Sequence, residues 1–126
     1  MNVHFSSQRL DWKTPKAVYD QLDKEFSFDF DPCPPNPDFD GLEMDWGKRN
    51  FVNPPYGREI GKWLKKGYEE WRDKGKSSVF LIPSRTDTRW WHDYCMKAKE
   101  IRFIKGRLKF DEHKNAAPFP SALVIF

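Results

Sequence analysis

A chain of 126 residues is long enough for one hydrophobic core and too short for two, and six Trp, four Tyr and eleven Phe give it too much aromatic surface to stay disordered. The formal net charge of +3 and an isoelectric point near 8.8 permit a nucleic-acid partner without demanding one. No apolar run approaches membrane-spanning length, nothing at the N-terminus resembles a signal peptide, and neither Cys33 and Cys95 nor His4, His92 and His113 show metal-ligand spacing. The expectation is a single domain over residues 1–126, reduced and cytoplasmic, without metal or membrane.

Residues 1–12 lack a consistent period and are expected to form a flexible arm. Thr14-Pro15 reads as a helix start, a hydroxyl N-cap before a proline at the first helical position. Val18, Leu22 and Phe26 then recur at four-residue spacing, predicting a helix over about 15–25. SFDFD, residues 27–31, alternates as a strand does, with Phe28 and Phe30 on one side and Asp31 at its C-terminal end. The following PCPPNPDFDG has four prolines in ten residues and must be an ordered loop.

Asn50 to Asn53 predicts a short strand, stopped by Pro54-Pro55. Ile60, Trp63, Leu64, Gly67 and Trp71 form a helical stripe over about 58–73, and SSVFLI, residues 77–82, reads as a central strand covered on both faces. A helix carrying Trp90, Trp91, Tyr94, Cys95 and Ala98 follows, then strands at EIRFI, RLKF and ALVIF. Strands alternating with helices predict an open, mostly parallel α/β sheet with helices on both faces. In such sheets ligands bind beyond the C-terminal strand ends, so Asp31, Asn53 and Ser84-Arg85 are expected at one cleft.

The chemistry is concentrated in Asn53-Pro54-Pro55-Tyr56. Two prolines hold a strand exit extended and nearly rigid, leaving a backbone carbonyl outward. The Asn53 side-chain oxygen and the Pro54 carbonyl would then offer two acceptors to one planar amino group. An aryl amine is a poor nucleophile because its lone pair is delocalised. Two acceptors out of the ring plane favour a tetrahedral nitrogen able to attack an electrophilic methyl, and Tyr56 is suited to stack on the ring.

This motif resembles that of S-adenosylmethionine-dependent amino-methyltransferases. Its neighbours WKTP (12–15), FDFDPC (28–33), DGL (40–42) with Trp46, NPPYG (53–57), LIPSRTDTRWWH (81–92), GRLKF (106–110) and APFPSALVIF (117–126) resemble the phage-type DNA N6-adenine methyltransferase family over nearly the whole chain. The resemblance implies a reduced Rossmann-like methyltransferase sheet, S-adenosylmethionine as cofactor, DNA as substrate and, biologically, protection of phage DNA from restriction. Where the wider fold has a glycine-rich turn, this chain has Asp31-Pro32-Cys33-Pro34.

By that resemblance Asp31, with Pro32 and Cys33, would sit at the ammonium of the cofactor's methionine part and Thr14-Pro15 at its carboxylate side. On residue chemistry alone, Asp31 is equally a turn cap and Thr14 a helix cap. Asp45-Trp46 either reads the adenosine or contributes Trp46 to the core, and Cys33 has no covalent role in a direct transfer. Arg85, Arg89 and Trp90 suit phosphate clamping with base stacking, and Arg107 and Lys109, two apart on a predicted strand, share one face. The basic cluster Lys62, Lys65, Lys66, Arg72, Lys74 and Lys76 either faces nucleic acid or solvates a helix. Three alternatives stand beside adenine in DNA: an RNA base, a protein glutamine amide, or a catalytically silent nucleic-acid-binding module.

Overall fold

The computed structural model describes residues 12–126. Its helices are α1 (Lys16–Phe26), α2 (Ile60–Lys74) and α3 (Arg89–Asp93), and its strands β1 (Arg49–Val52), β2 (Ser77–Pro83), β3 (Glu100–Phe103) and β4 (Ser121–Ile125). The strands form an open sheet of order β1-β2-β4-β3.

The sheet is mixed, which corrects the mostly parallel, Rossmann-like expectation. Only β1 and β2 pair in parallel, while β4 runs antiparallel to both β2 and β3. The first three strands do share a direction. A parallel neighbour requires a crossover, and residues 104–120 hold no helix, so the chain returns antiparallel and inserts β4 between β2 and β3. β2, paired on both edges and buried from Ser78 onward, is the centre that its apolar run predicts.

Strand alternation divides the core in two. Phe51, Val79, Leu81, Leu123 and Ile125 meet Leu22 of α1, whereas Val52, Phe80, Ile82 and Val124 meet Ile60, Trp63 and Leu64 of α2. Helices therefore do cover both faces. Each large side chain so buried contributes roughly 1.5–3 kcal/mol.

Several local expectations change. The 27–31 strand shrinks to one parallel bridge, Phe30 with Asn50, because Ser27 at φ 53° turns sharply out of α1 and Pro32 and Pro34 bring no N–H to extend the ladder. Phe28 and Phe30, expected on one side, join opposite clusters. The predicted RLKF strand, residues 107–110, forms no strand and lies outside the sheet, and the residue after it, Asp111, makes a single bridge with Lys13. The helix expected through Ala98 breaks after Asp93 and resumes as a 3₁₀ turn, Cys95–Lys97. Of the expected arm only Trp12 is described, and it is packed, stacked on His113 at 4.7 Å and edge-on to Phe110 and Phe119; residues 1–11 lie outside the described residues.

Half of the central basic cluster has a structural task. Lys66, Lys74 and Lys76 converge on the buried Glu70 carboxylate at 3.6, 3.0 and 3.5 Å, and the Trp46 amide donates to it at 3.0 Å. Burial opposes the Glu70 charge, but the Lys74 hydrogen bond, the Trp46 amide and Lys66 outweigh it and hold the carboxyl below its usual range. Arg72 pairs with its neighbour Asp73 at 2.7 Å. Lys62 and Lys65 likewise pair along the surface, with Glu59 at 3.5 Å and Glu69 at 2.7 Å, away from Glu70.

Candidate active site

Asn53 leaves β1 fully buried, followed by the buried Pro54 and Pro55. Its Nδ2 donates to the Trp12 carbonyl at 2.8 Å and to Thr14 Oγ1 at 2.9 Å. A carbonyl can only accept, so Trp12 fixes which way the amide faces. Asn53 Oδ1 is buried and, among the described residues, has no hydrogen-bond partner. Such an orphan acceptor costs free energy unless a ligand satisfies it. Among the described residues no backbone N–H donates to the Pro54 carbonyl either.

Thr14 is thus placed for Asn53 and not for the helix. The N-cap of α1 is Pro15, one residue later than expected, and no side chain caps it. Tyr56 is half-buried, with its hydroxyl donating to the Leu81 carbonyl at 3.1 Å and Phe119 and Phe110 edge-on at 5.7 and 6.4 Å. The ring is therefore held at two ends, next to the exit of the central strand.

Beside Asn53 lies an open hollow of about 280 Å³ lined by Lys13, Thr14, Lys16, Tyr19, Asp31, Pro35, Phe51 and Asp111. It brings Thr14 and Asp31 together, as expected. Asp31 Oδ1 also accepts from the Cys33 amide at 2.9 Å, so both readings of Asp31, turn cap and hollow-lining acid, describe the same side chain. Burial, then Asp23, Asp31 and Asp20, push the Tyr19 hydroxyl upward, keeping it a neutral donor.

Across the same loop, Pro32, Cys33, Pro37, Phe39, Asp40, Gly41, Pro55 and Trp63 line a narrow apolar slot. The second proline of the motif thus forms one of its walls. Gly41 is required where it sits, because a Cβ there would overlap the Pro32 carbonyl. Trp46 is core, buried with its Nε1 donating to the Gly41 carbonyl at 2.8 Å, whereas Asp45 is exposed and paired with Lys74 at 2.7 Å.

The nucleic-acid candidates divide. Arg89 and Trp90 share a groove between α2 and α3, and Arg85 lies four residues before Arg89 on the same exposed turn. Arg107 and Lys109 are exposed on either side of Leu108, which packs on the opposite, α1 face of the sheet. Sequence reasoning missed the Trp12 carbonyl, for which a backbone atom leaves no signal, and also Lys13, Phe39 and Asp40. Lys13, within the WKTP block, and Asp40, within the DGL block, were open to detection. Among the described residues no group of three or more His, Cys, Asp or Glu is placed to hold a metal, and no helix is long and apolar enough to cross a membrane.

The match to a family model puts this α/β sheet, with its rigid strand exit and buried carboxamide oxygen next to a hollow lined by two acids and two lysines, in the class of methyltransferases. The chain belongs to the DNA N-6-adenine-methyltransferase (Dam) family, whose model matches residues 3–124. No curated protein and no solved structure matches it.

Proposed function

We propose that this chain transfers a methyl group from S-adenosylmethionine to the exocyclic N6 amine of adenine in DNA. The observation that carries the reading is Asn53, whose Nδ2 is tied by Trp12 and Thr14 while its buried Oδ1 has no partner among the described residues. A side chain so held keeps its oxygen as an unused acceptor, which a small shift at the strand exit would open to an amine.

The residues present fit the cofactor. Asp31 suits its ammonium and Lys13 and Thr14-Pro15 its carboxylate side, while the slot of Cys33, Phe39, Asp40, Pro55 and Trp63 has the apolar lining an adenosine needs but a free volume of only about 10 Å³, so it must widen to admit one. Asp45, engaged with Lys74, is left out of this set. When bound, the cofactor supplies an electrophilic methyl group.

Asn53 Oδ1 and the Pro54 carbonyl accept the two hydrogens of the amine, favouring a tetrahedral nitrogen with a localised lone pair. With the cofactor held at Asp31 and Thr14, its methyl would be supplied to this nitrogen, with the sulfide as leaving group, and the alkylated, acidic nitrogen would release its proton to solvent. No strong general base is needed. Because the amine is paired within the duplex, the base must be extruded, and Tyr56, fixed by Leu81, offers its ring for stacking.

The test is nucleoside mass spectrometry on unmethylated DNA incubated with the protein and S-adenosylmethionine, with RNA, a protein pool and Asn53→Ala in parallel. N6-methyladenine in DNA, lost in the variant, is expected. Methylation confined to RNA or to glutamine would replace the acceptor, and a folded protein that binds DNA but methylates nothing would replace the reaction with binding.

A further inference from the structure

On the α2 face of the sheet, a groove of about 330 Å³ runs between α2 and α3, lined by Arg58, Lys62, Lys65, Arg89, Trp90 and the single acid Asp93. Arg58 is two residues beyond Tyr56, so the groove begins where the reactive exit ends. Four cations from three segments converge on it, Arg58 before α2, Lys62 and Lys65 on α2, and Arg89 on α3.

The two arginines are exposed, and among the described residues neither pairs with a carboxylate. Lys62 sits 3.5 Å from Glu59 and Lys65 2.7 Å from Glu69, both in exposed pairs along the helix. Such pairs contribute about 0–1 kcal/mol, so either lysine can turn to another anion at little cost. Trp90 is half-buried and forms one wall, facing Gly61 of α2, where a Cβ would stand in ordinary contact 3.4 Å from the Trp90 Cβ.

Planar guanidinium groups and ammonium groups spaced along a channel, with an indole wall, match a chain of phosphates separated by apolar sugars better than they match a compact anion. We propose that this groove carries the phosphodiester backbone of the DNA strand continuing from the reactive base. The inference rests on the reading of the chain as a DNA methyltransferase and adds to it the surface that orients the strand. Arg58 and Arg89 clamp phosphates, Lys62 and Lys65 extend the track along α2, and Trp90 supports a deoxyribose or an unstacked base.

The experiment is fluorescence anisotropy of a labelled DNA duplex over a series of salt concentrations, comparing the unmodified protein with the double variant Arg58→Gln/Arg89→Gln. Each arginine–phosphate pairing removed should lower the slope of log affinity against log salt by about 0.9, so the double variant should lose roughly 1.8 and weaken all sequences alike. Both side chains are exposed, so circular dichroism and calorimetric S-adenosylmethionine binding should be unchanged. If the unmodified protein methylates DNA while the variant keeps its slope and affinity, the groove assignment is wrong and the reaction stands. If the unmodified protein neither binds nor methylates DNA, the reading fails and the groove proposal with it.

Discussion

Replacing Thr14 by valine keeps the shape of the side chain and removes the acceptor that Asn53 Nδ2 uses at 2.9 Å. One N–H of a fully buried amide is then left unsatisfied, a cost of about 1–3 kcal/mol. With unfolding entropy of about 2.1 cal/mol/K per residue, 126 residues give ~0.26 kcal/mol/K, so a loss of ~2 kcal/mol should lower Tm by ~8 °C. The Trp12 carbonyl still biases the amide, but with one anchor in place of two. An orientational loss of about 1.4 kcal/mol corresponds to a rate roughly tenfold lower. Calorimetric melting and single-turnover methylation of DNA, with S-adenosylmethionine affinity measured separately, would distinguish loss of orientation from loss of cofactor. Thr14→Ser, which keeps the hydroxyl, should recover most of both effects. A valine variant that melts and reacts like the parent, or a serine variant as impaired as valine, would refute the assignment of Thr14 as the anchor of Asn53.

Glu70→Gln should cost about 2–3 kcal/mol in denaturant unfolding, since it removes the charge that gathers Lys66, Lys74 and Lys76. The folded state holds the Glu70 carboxyl below its unfolded value, so its stabilisation is complete above the usual carboxylate range and fades as pH falls through the lowered value; the glutamine variant should lose that part of the acid sensitivity. Gly41→Ala forces a Cβ onto the Pro32 carbonyl and to 3.0 Å from the Trp63 ring, and should lower the urea midpoint by the equivalent of about 1–3 kcal/mol while weakening S-adenosylmethionine binding in calorimetry. Tyr56→Phe loses only the bond to the Leu81 carbonyl, about 1 kcal/mol of stability, and should leave methylation within about tenfold of the parent, whereas Tyr56→Ala also loses the stacking surface, about 1–3 kcal/mol or roughly 10- to 100-fold in rate.

What could be read in the sequence follows the range of the forces involved. Pro54 and Pro55 restrict their own backbone and that of Asn53, so the strand exit and its rigidity were legible from consecutive residues. The α2 stripe and the β2 run were legible for the same local reason. Where β4 pairs depends on which edge is vacant once β1 to β3 are placed, and no periodicity records that, so its antiparallel insertion was not legible. Thr14 before Pro15 satisfies every local rule for a cap, yet its hydroxyl serves a side chain 39 residues away. The Phe28 and Phe30 alternation fails because Asp29 accepts from the Arg49 amide at 3.1 Å and the segment is turned between two faces. Charge counting likewise could not separate Lys62 and Lys65 from the lysines that Glu70 collects, since that depends on which side of α2 each one occupies.

The β1 exit explains why so short a chain can bring a cofactor, a base and a DNA backbone to one place, as the proposed reaction requires. At Asn53 the chain is bonded to Thr14, which lines the Asp31 hollow on the α1 side. Two residues on, Pro55 closes the slot that contains Cys33, Asp40 and Trp63. Five residues after Asn53, Arg58 enters the groove between α2 and α3 on the other face. The six residues from Asn53 to Arg58 therefore reach each of the three sites proposed here, with Pro54 and Pro55 stiffening the first half and Gly57, at φ 103°, turning the chain toward the groove. Rigidity at this exit then acts on more than Asn53. Pro55→Ala would relax the link between the carboxamide and the groove, so it should reduce the rate of methyl transfer by more than it reduces S-adenosylmethionine affinity. Equal losses in both, measured by single-turnover kinetics and calorimetry, would show that Pro55 acts only as a wall of the cofactor slot.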